Sequence, residues 1–168
     1  MRLIRRETYR RTAWKNGGGI SFEIAADESP EPGWRLALAA IDRDGPFSDY
    51  TGYDRTIIVV EGAGCTLEFE DGESARLELL QPCTFAGERR VVCRLIDGRL
   101  KDLNVMTRRG MHAHAVALTA EGNLSVRIDE WRFLYMLQGK NAGDTWVAPA
   151  VSHAESIAPL RDSRTSDR

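Results

Sequence analysis

The sequence predicts an all-β protein, and three observations lead to that prediction. Short apolar segments follow one another along most of the chain, and several alternate apolar with polar residues, as strands with one buried face do. Asp-Gly and Glu-Gly pairs separate these segments, as expected for tight β-turns. No long segment has the 3.6-residue period of an amphipathic helix. Strands at this spacing are typical of a sandwich or a barrel.

The segment 34–64 organises the predicted fold. Two apolar strands, 36–41 and 56–60, flank a loop rich in Gly, Pro, Asp and aromatic residues. The second strand contains four consecutive β-branched residues, so we expect both of its faces to be covered. In the first strand, alternation places Trp34 on one face and Arg35 on the other, among small apolar residues.

The other strands are predicted from the same signals, in chain order. Residues 1–13 indicate a short strand, and the alternation around Phe22 indicates another, from whose buried face Glu23 points away. Further strands are predicted at 66–70, 75–80, 83–85, 91–96, 102–106, 113–118, 123–128, 132–137 and 145–148. The polar residues 161–168 predict a disordered tail.

Composition excludes several classes of protein. The 168 residues carry a net charge of -2 with 42% hydrophobic residues, values of an ordinary globular chain. Basic residues are scattered, which argues against nucleic-acid binding. No apolar segment is long enough to span a bilayer, and the first residues lack the apolar run of a signal peptide. We therefore expect a cytoplasmic protein without a membrane partner.

The three cysteines predict free thiols. Cys65, Cys83 and Cys93 are odd in number and lack a CxxC spacing, so neither a disulfide framework nor a zinc knuckle is expected. Cys65 follows a glycine at the start of a strand, where a buried structural thiol is the favoured interpretation.

Three ordered motifs of unusual composition carry a family resemblance. They are WKNGGG at 14–19, DGPFS at 44–48 with GYDR at 52–55, and DLNVM at 102–106. Over residues 1–110 the chain resembles the HutD/Ves family of small bacterial double-cupin proteins. The resemblance implies a cupin fold, which is a jelly-roll-like double-stranded β-helix, and for some members a connection to histidine utilisation. It implies no settled reaction.

A weak internal repeat agrees with two fused barrels. Residues 57–62 and 133–139 each form an apolar strand followed by a polar residue and a glycine. We predict an N-terminal cupin-like barrel at 1–107 and a degenerate C-terminal barrel at 108–160. The first strands are expected to cross over and pack with the second barrel.

A metal centre is the first chemistry to consider in a cupin. His112 and His114 alternate and would face the same side of a strand, with His153 and either Glu121 or Glu155 completing a shell. All three histidines lie outside the motifs, so we expect surface histidines, no metal site and no other cofactor. A serine nucleophile is also not indicated, because Ser48 is not in a Gly-x-Ser-x-Gly elbow.

The polar residues in or beside the motifs are the predicted ligand-binding groups, because inward residues of several strands converge at a barrel mouth. They are Lys15, Asn16, Glu23, Arg35, Ser48, Arg55, Asp102 and Asn104, with pocket walls from Trp14, Trp34, Phe47 and Tyr53. The Arg55 guanidinium offers a planar fork for a carboxylate. The alternative is an ion pair of Arg55 with Glu61, Asp44 or Asp102.

Two functions remain open at this point. The first is a binding protein for a small carboxylate metabolite, where the family resemblance suggests urocanate or formylglutamate and a regulatory role in histidine utilisation. The second is a metal-independent cupin enzyme acting on a similar acid, with Glu23 or Asp102 as general base. A pocket carboxylate that is not paired with arginine would favour the enzyme. A homodimer formed through a sheet edge is compatible with either function.

Overall fold

A computed structural model describes residues 1–14 and 17–149, together with the backbone of 158–159. Within these residues the chain is almost entirely β-structure, with one 3₁₀ turn at Arg6–Thr8. The strands are β1 Arg2–Ile4, β2 Arg10–Ala13, β3 Gly19–Ala26, β4 Trp34–Ile41, β5 Gly45–Pro46, β6 Tyr53–Glu61, β7 Cys65–Phe69, β8 Ser74–Leu77, β9 Pro82–Ala86, β10 Val91–Leu95, β11 Leu100–Arg108, β12 His114–Leu118, β13 Leu124–Ile128, β14 Trp131–Tyr135, β15 Thr145–Pro149 and β16 Ala158–Pro159. The predicted all-β class is confirmed.

Three antiparallel sheets are stacked in layers. The central sheet has the order β2-β3-β4-β11-β6-β9, and the order β5-β10-β7-β8 forms a smaller sheet. A third sheet has the order β1-β15-β14-β13-β12-β16. One hydrophobic core lies between the central and the smaller sheet, and a second core lies between the central and the third sheet.

The two cores explain the continuous β-branched segment in β6. Ile57 and Val59 are buried in the first core, whereas Ile58 is buried in the second. Consecutive residues of a strand point to opposite faces, so a strand between two cores needs apolar residues at every position. The prediction that both faces are covered is confirmed.

The strand boundaries differ from the predicted ones where turns intervene. The first predicted strand is divided into β1 and β2 by the 3₁₀ turn. The strand predicted at 75–80 spans Ser74–Leu77; beyond it, Leu79 forms an isolated parallel bridge with Val59, and Leu80 adopts a positive φ of 62°. The short strand β5 was not predicted, since Gly45 and Pro46 are typical of turns.

β1 pairs with β15 and therefore belongs to the third sheet, which is otherwise built from C-terminal strands. The division into barrels at 1–107 and 108–160 stays a prediction, and the tail 161–168 lies outside the described residues. Cys65, Cys83 and Cys93 are buried, and Cys65 and Cys93 are free thiols, as predicted. Among the described residues, no helix has the length and apolar character required to cross a membrane.

Candidate functional site

A cavity of about 570 Å³ opens between the central sheet and the loop that connects β4 to β6. The strands β4, β6 and β11 supply its floor, and residues 46–50 of the loop lie at its mouth. A cavity of this size accommodates a small organic molecule.

The register of the central sheet places the polar residues of the cavity side by side. Met106 on β11 is paired with Arg35 on β4 and with Arg55 on β6. Asn104 and Asp102 follow at alternate positions of β11 and face the same side. The sequence motif at 102–106 thus supplies the centre of the cavity floor.

Small residues on β4 leave the space that the cavity occupies. Asp102 lies opposite Ala39, and Asn104 lies opposite Ala37. A larger side chain at either alanine would extend into the cavity. This face of β4 therefore separates a polar chamber at one end from the apolar core at the other, where Ile41 packs.

Arg55 is buried in the wall of the cavity, with 3% of its surface exposed. Its guanidinium carbon lies 5.0 Å from the ring centre of Tyr50, 5.3 Å from that of Phe85 and 5.5 Å from that of Phe47. Nη1 donates a hydrogen bond of 3.2 Å to the carbonyl oxygen of Ser48. Nε has no hydrogen-bond partner among the described residues.

No ion pair involves Arg55 among the described residues. Glu61 pairs with Lys101, and Asp44 lies 3.7 Å from Arg94. Burial lowers the pKa of the Arg55 guanidinium, while Tyr50 and Asp102 act in the opposite direction. The side chain is a desolvated cation held by aromatic faces rather than by a carboxylate.

Asp102 is the buried acid of the cavity, with 1% of its surface exposed. Its Oδ1 atom has no hydrogen-bond partner among the described residues, and the same is true of Oδ1 of Asn104. Burial raises the pKa of Asp102 to about 7, and the positive charge of Arg55 opposes this rise only in part. Buried polar atoms without partners are rare in folded proteins, and here they line one cavity.

Arg35 lies at the rim of the cavity and is held by Glu23. Its Nε and Nη2 atoms each lie 2.9 Å from Glu23 Oε2, and Arg10 lies 2.8 Å from the other carboxylate oxygen. Glu23 is thus shared between two arginines. It contacts a cavity residue but does not itself line the cavity.

Two of the four aromatic residues that were predicted as pocket walls lie at the cavity. Trp14 and Phe47 line the cavity and pack edge to face with ring centres 6.2 Å apart. The indole nitrogen of Trp14 donates a hydrogen bond of 2.8 Å to Ser21 Oγ. Ser48 also lines the cavity, and its carbonyl oxygen rather than its hydroxyl contacts Arg55.

Two other residues expected in the walls lie elsewhere. Trp34 packs against Phe133 in the second core, with ring centres 5.6 Å apart, because it points to the face opposite to Arg35. The hydroxyl of Tyr53 donates to the carbonyl oxygen of Pro32 at 2.6 Å, outside the cavity. Lys15 and Asn16, which were predicted as ligand-binding residues, lie outside the described part of the chain.

Several cavity residues were not predicted. Tyr50 and Met106 line the cavity, and Phe85 packs against Arg55. Met106 could have been found by strand alternation from Asn104. The position of Phe85 depends on the pairing of β9 with β6, for which the sequence carries no local signal.

His112 and His114 both line a second, smaller cavity, but each has its own hydrogen-bond partners. His114 is enclosed by two threonine hydroxyls, with Nε2 at 2.8 Å from Thr56 and Nδ1 at 2.7 Å from Thr107. His112 instead contacts Asp129 at 2.5 Å. The expectation of surface histidines holds only in part, because His112 and His114 are both half-buried, and burial lowers the pKa of His114.

Among the described residues, no group of three or more His, Cys, Asp or Glu residues could hold a metal ion, so the shell considered for His112 and His114 is not assembled there. His153 and Glu155 lie outside those residues.

The fold and the cavity define an all-β protein of the cupin type with a polar pocket between the central sheet and the loop that connects β4 to β6. The chain belongs to the HutD family, whose model matches residues 6–157. The structure of HutD from Pseudomonas fluorescens SBW25, determined in a formate condition, is 29% identical with a TM-score of 0.71, covering 88% of this chain and 86% of that one. The structure of a conserved protein of unknown function from Pseudomonas aeruginosa PAO1 is 28% identical with the same TM-score and the same coverage.

Curated relatives point in the same direction. An uncharacterised 21.2 kDa protein in the hutC 3' region of Pseudomonas putida is 38% identical over 109 residues, which is 63% of this chain and 57% of that protein. Protein Ves of Escherichia fergusonii is 36% identical over 98 residues, 56% of this chain and 51% of Ves. The chain thus spans about half the length of the curated relatives it matches.

Proposed function

We propose that this protein binds a small carboxylate metabolite in the cavity between the central sheet and the loop that connects β4 to β6. The observation that carries the proposal is Arg55, a buried cation without an ion-pair partner among the described residues. Burying an unpaired charge is costly, and a carboxylate from a ligand would offset that cost. Guanidinium is the group best suited to bind a carboxylate through paired hydrogen bonds.

The other polar atoms support a ligand with more than one kind of polar group. Nε of Arg55 is a donor without a partner, whereas Oδ1 of Asp102 and Oδ1 of Asn104 are acceptors without partners. A ligand carboxylate would satisfy the donor, and an N–H or O–H group of the ligand would satisfy the acceptors. Trp14 and Phe47 would cover the apolar part of the ligand.

Family membership suggests which carboxylates to test first. Relatives carry names that refer to HutD and to the hutC region, so urocanate and formylglutamate are the proposed ligands, and binding would regulate histidine utilisation. We place this function in the cytoplasm, which agrees with the free thiols of Cys65 and Cys93.

Thermal unfolding with candidate ligands tests the proposal. Wild type, Arg55→Ala and the control Arg90→Ala, whose side chain is 82% exposed, would be heated with urocanate, formylglutamate, formate, histidine, phosphate or zinc. A ligand at about 100 times its Kd adds about 2.7 kcal/mol, a shift of roughly 5–10 °C at this chain length. We expect a shift with a carboxylate in wild type and Arg90→Ala, and none in Arg55→Ala. Equal shifts in all three proteins would overturn the assignment of Arg55.

A second function is favoured by Asp102. The enzyme hypothesis required a pocket carboxylate that is not paired with arginine, and Asp102 fits this description, whereas Glu23 is bound by Arg10 and Arg35. A carboxylate whose pKa is about 7 is suited to act as a general base near neutral pH. Incubating each bound acid with wild type and Asp102→Asn, and following the products by NMR, would distinguish turnover from binding alone.

A further inference from the structure

We propose that a carboxylate enters this cavity together with one proton, which is taken up by the side chain of Asp102. The inference rests on the proposed function, since it needs a carboxylate beside Arg55. It assigns to Asp102 the role of a residue that sets the charge state of the occupied site. Arg55 would bind the anion, and the protonation state of Asp102 would set the pH dependence of anion binding.

The positions of the two side chains lead to this inference. Arg55 and Asp102 line one cavity from the adjacent strands β6 and β11, and both are almost completely buried. No hydrogen bond or ion pair joins them, so the space beside the guanidinium is open to a ligand. An anion placed there would share a low-dielectric chamber with the carboxyl of Asp102, and like charges in such a chamber disfavour each other.

In the described part of the chain, the cavity has one positive charge available to neutralise an anion, so it can compensate either a bound carboxylate or ionised Asp102, but not both. Arg35 also lines the cavity, but its charge is already compensated by Glu23. Arg55 is therefore the one lining cation without such a partner among the described residues. With Asp102 ionised and a carboxylate bound, two negative charges would face one available positive charge. Protonation of Asp102 removes the excess charge and converts one of its oxygens into a hydrogen-bond donor.

Few other groups around Asp102 could titrate in its place. The titratable and charged groups near it are Arg55 on β6, Cys93 on β10, and, further along the cavity, Arg35 on β4, Glu23 on β3 and Tyr50 in the loop. The pKa of the Cys93 thiol is raised by Cys65 and by burial, so this thiol stays protonated near neutral pH. His114 contacts Thr56 and Thr107, residues of β6 and β11 that alternate with the cavity-facing Arg55 and Met106. Burial raises the pKa of Asp102 itself to about 7, so a moderate additional charge is sufficient to protonate it.

Formate titrations at several pH values test the proposal. Formate is a suitable probe because its carboxyl is its only ionisable group and stays charged above pH 5.5. The Kd would be measured by NMR at pH 5.5, 6.5, 7.5 and 8.5 for wild type, Asp102→Asn and the control Asp97→Asn, an exposed turn residue. For wild type and the control, we expect the Kd of formate to be constant below about pH 6.5. Above about pH 7 this Kd should increase by up to tenfold per pH unit. Asp102→Asn should bind with the same Kd throughout.

Calorimetry measures proton uptake on the wild-type protein, without the Asp102→Asn variant. The binding heat of formate to wild type at pH 7.5, measured in two buffers with different ionisation enthalpies, should differ by an amount that corresponds to uptake of a fraction of one proton per site. Binding without proton uptake and with a constant Kd would overturn the role of Asp102 while leaving the carboxylate site intact. An absence of formate, urocanate and formylglutamate binding at every pH would overturn both the site and this inference.

Discussion

Arg55 and Asp102 line the same cavity from neighbouring strands of the central sheet, and no salt bridge joins them. Each side chain is desolvated, and Arg55 is held mainly by the faces of aromatic rings. Such an arrangement is unfavourable for the empty protein, because two partly unsatisfied ionisable groups are kept away from water. It is favourable for a site that must supply a ready cation to an incoming anion.

Replacing Arg55 by methionine should therefore abolish carboxylate binding without lowering the stability of the protein. Methionine fills a similar volume without a charge, so we expect the free energy of unfolding to be unchanged or raised, by up to about 4 kcal/mol. Carboxylate binding should be lost. Urea unfolding and formate titration of the same preparation would measure both effects. A loss of more than about 1 kcal/mol would mean that the aromatic contacts of the guanidinium outweigh its desolvation.

Asp102 should make the stability of the protein fall as the pH rises. Its pKa is about 7 in the folded chain and about 3.9 in an unfolded chain, so the folded state binds more protons between these values. The free energy of unfolding therefore decreases with pH in this window, by at most about 1.4 kcal/mol per pH unit from this group.

The variant Asp102→Asn isolates that contribution. Its stability relative to wild type should increase from pH 4.5 to pH 7 in urea unfolding experiments, whereas Asp97→Asn should follow wild type. Parallel curves for wild type and Asp102→Asn would show that the carboxyl is not proton-linked to folding.

His114 should have the opposite effect, on the acid side of neutrality. Burial lowers its pKa below the ordinary value near 6.5, so the unfolded state binds the proton more readily and stability is lost as the pH falls below about 6.5. His114→Ala should remove this acid-dependent loss. It should also cost about 1–3 kcal/mol at pH 8, because the hydroxyls of Thr56 and Thr107 lose a partner. Asp97→Asn, which changes an exposed residue, serves as the control and should keep the wild-type dependence of stability on pH.

Gly87 connects the loop over the cavity to the central sheet. Its amide donates to the carbonyl of Tyr53 at 2.7 Å, and its carbonyl accepts from the amide of Tyr50 at 3.0 Å. A Cβ at this position would overlap the carbonyl oxygen of Tyr50.

Gly87→Ala should therefore displace the Tyr50 ring from Arg55 and weaken carboxylate binding. Gly52→Ala is the matched control, because Gly52 has a φ of 86° with no atom near the added methyl group. The control should lose about 1–2 kcal/mol of stability through backbone strain alone and keep its affinity. Equal affinities in both variants would mean that Tyr50 does not shape the site.

Local patterns in the sequence were sufficient for most strands and for part of the site. Alternation in β4 placed Arg35 and Trp34 on opposite faces, and the β-branched residues of β6 required two covered faces. Arg55 was found because it directly precedes that buried segment. These features are set by residues next to each other in the chain, which a sequence displays directly.

Features that depend on distant pairing were not accessible in this way. Phe85 reaches Arg55 because β9 pairs with β6, and Tyr53 turns outward because its hydroxyl bonds to Pro32 in another loop. The environment of His114 also depends in part on distant pairing, because one of its two partners, Thr56, lies 58 residues away in sequence. Composition in the loop indicated a shaped segment, but not which aromatic ring would face the cavity.

Because β6 lies between two cores, each of its residues must stay in phase with the alternation of the strand. Arg55 faces the cavity, the next residue contacts His114, and Ile57 and Ile58 serve different cores. Inserting or deleting one residue between Arg55 and Ile57 would shift one part of β6 against the other by one position, so that either Arg55 or the apolar residues would point to the wrong face of the sheet. Changes of chain length are therefore tolerable in the turns around β6 but not within it, and variation in this protein should consist there of substitutions alone.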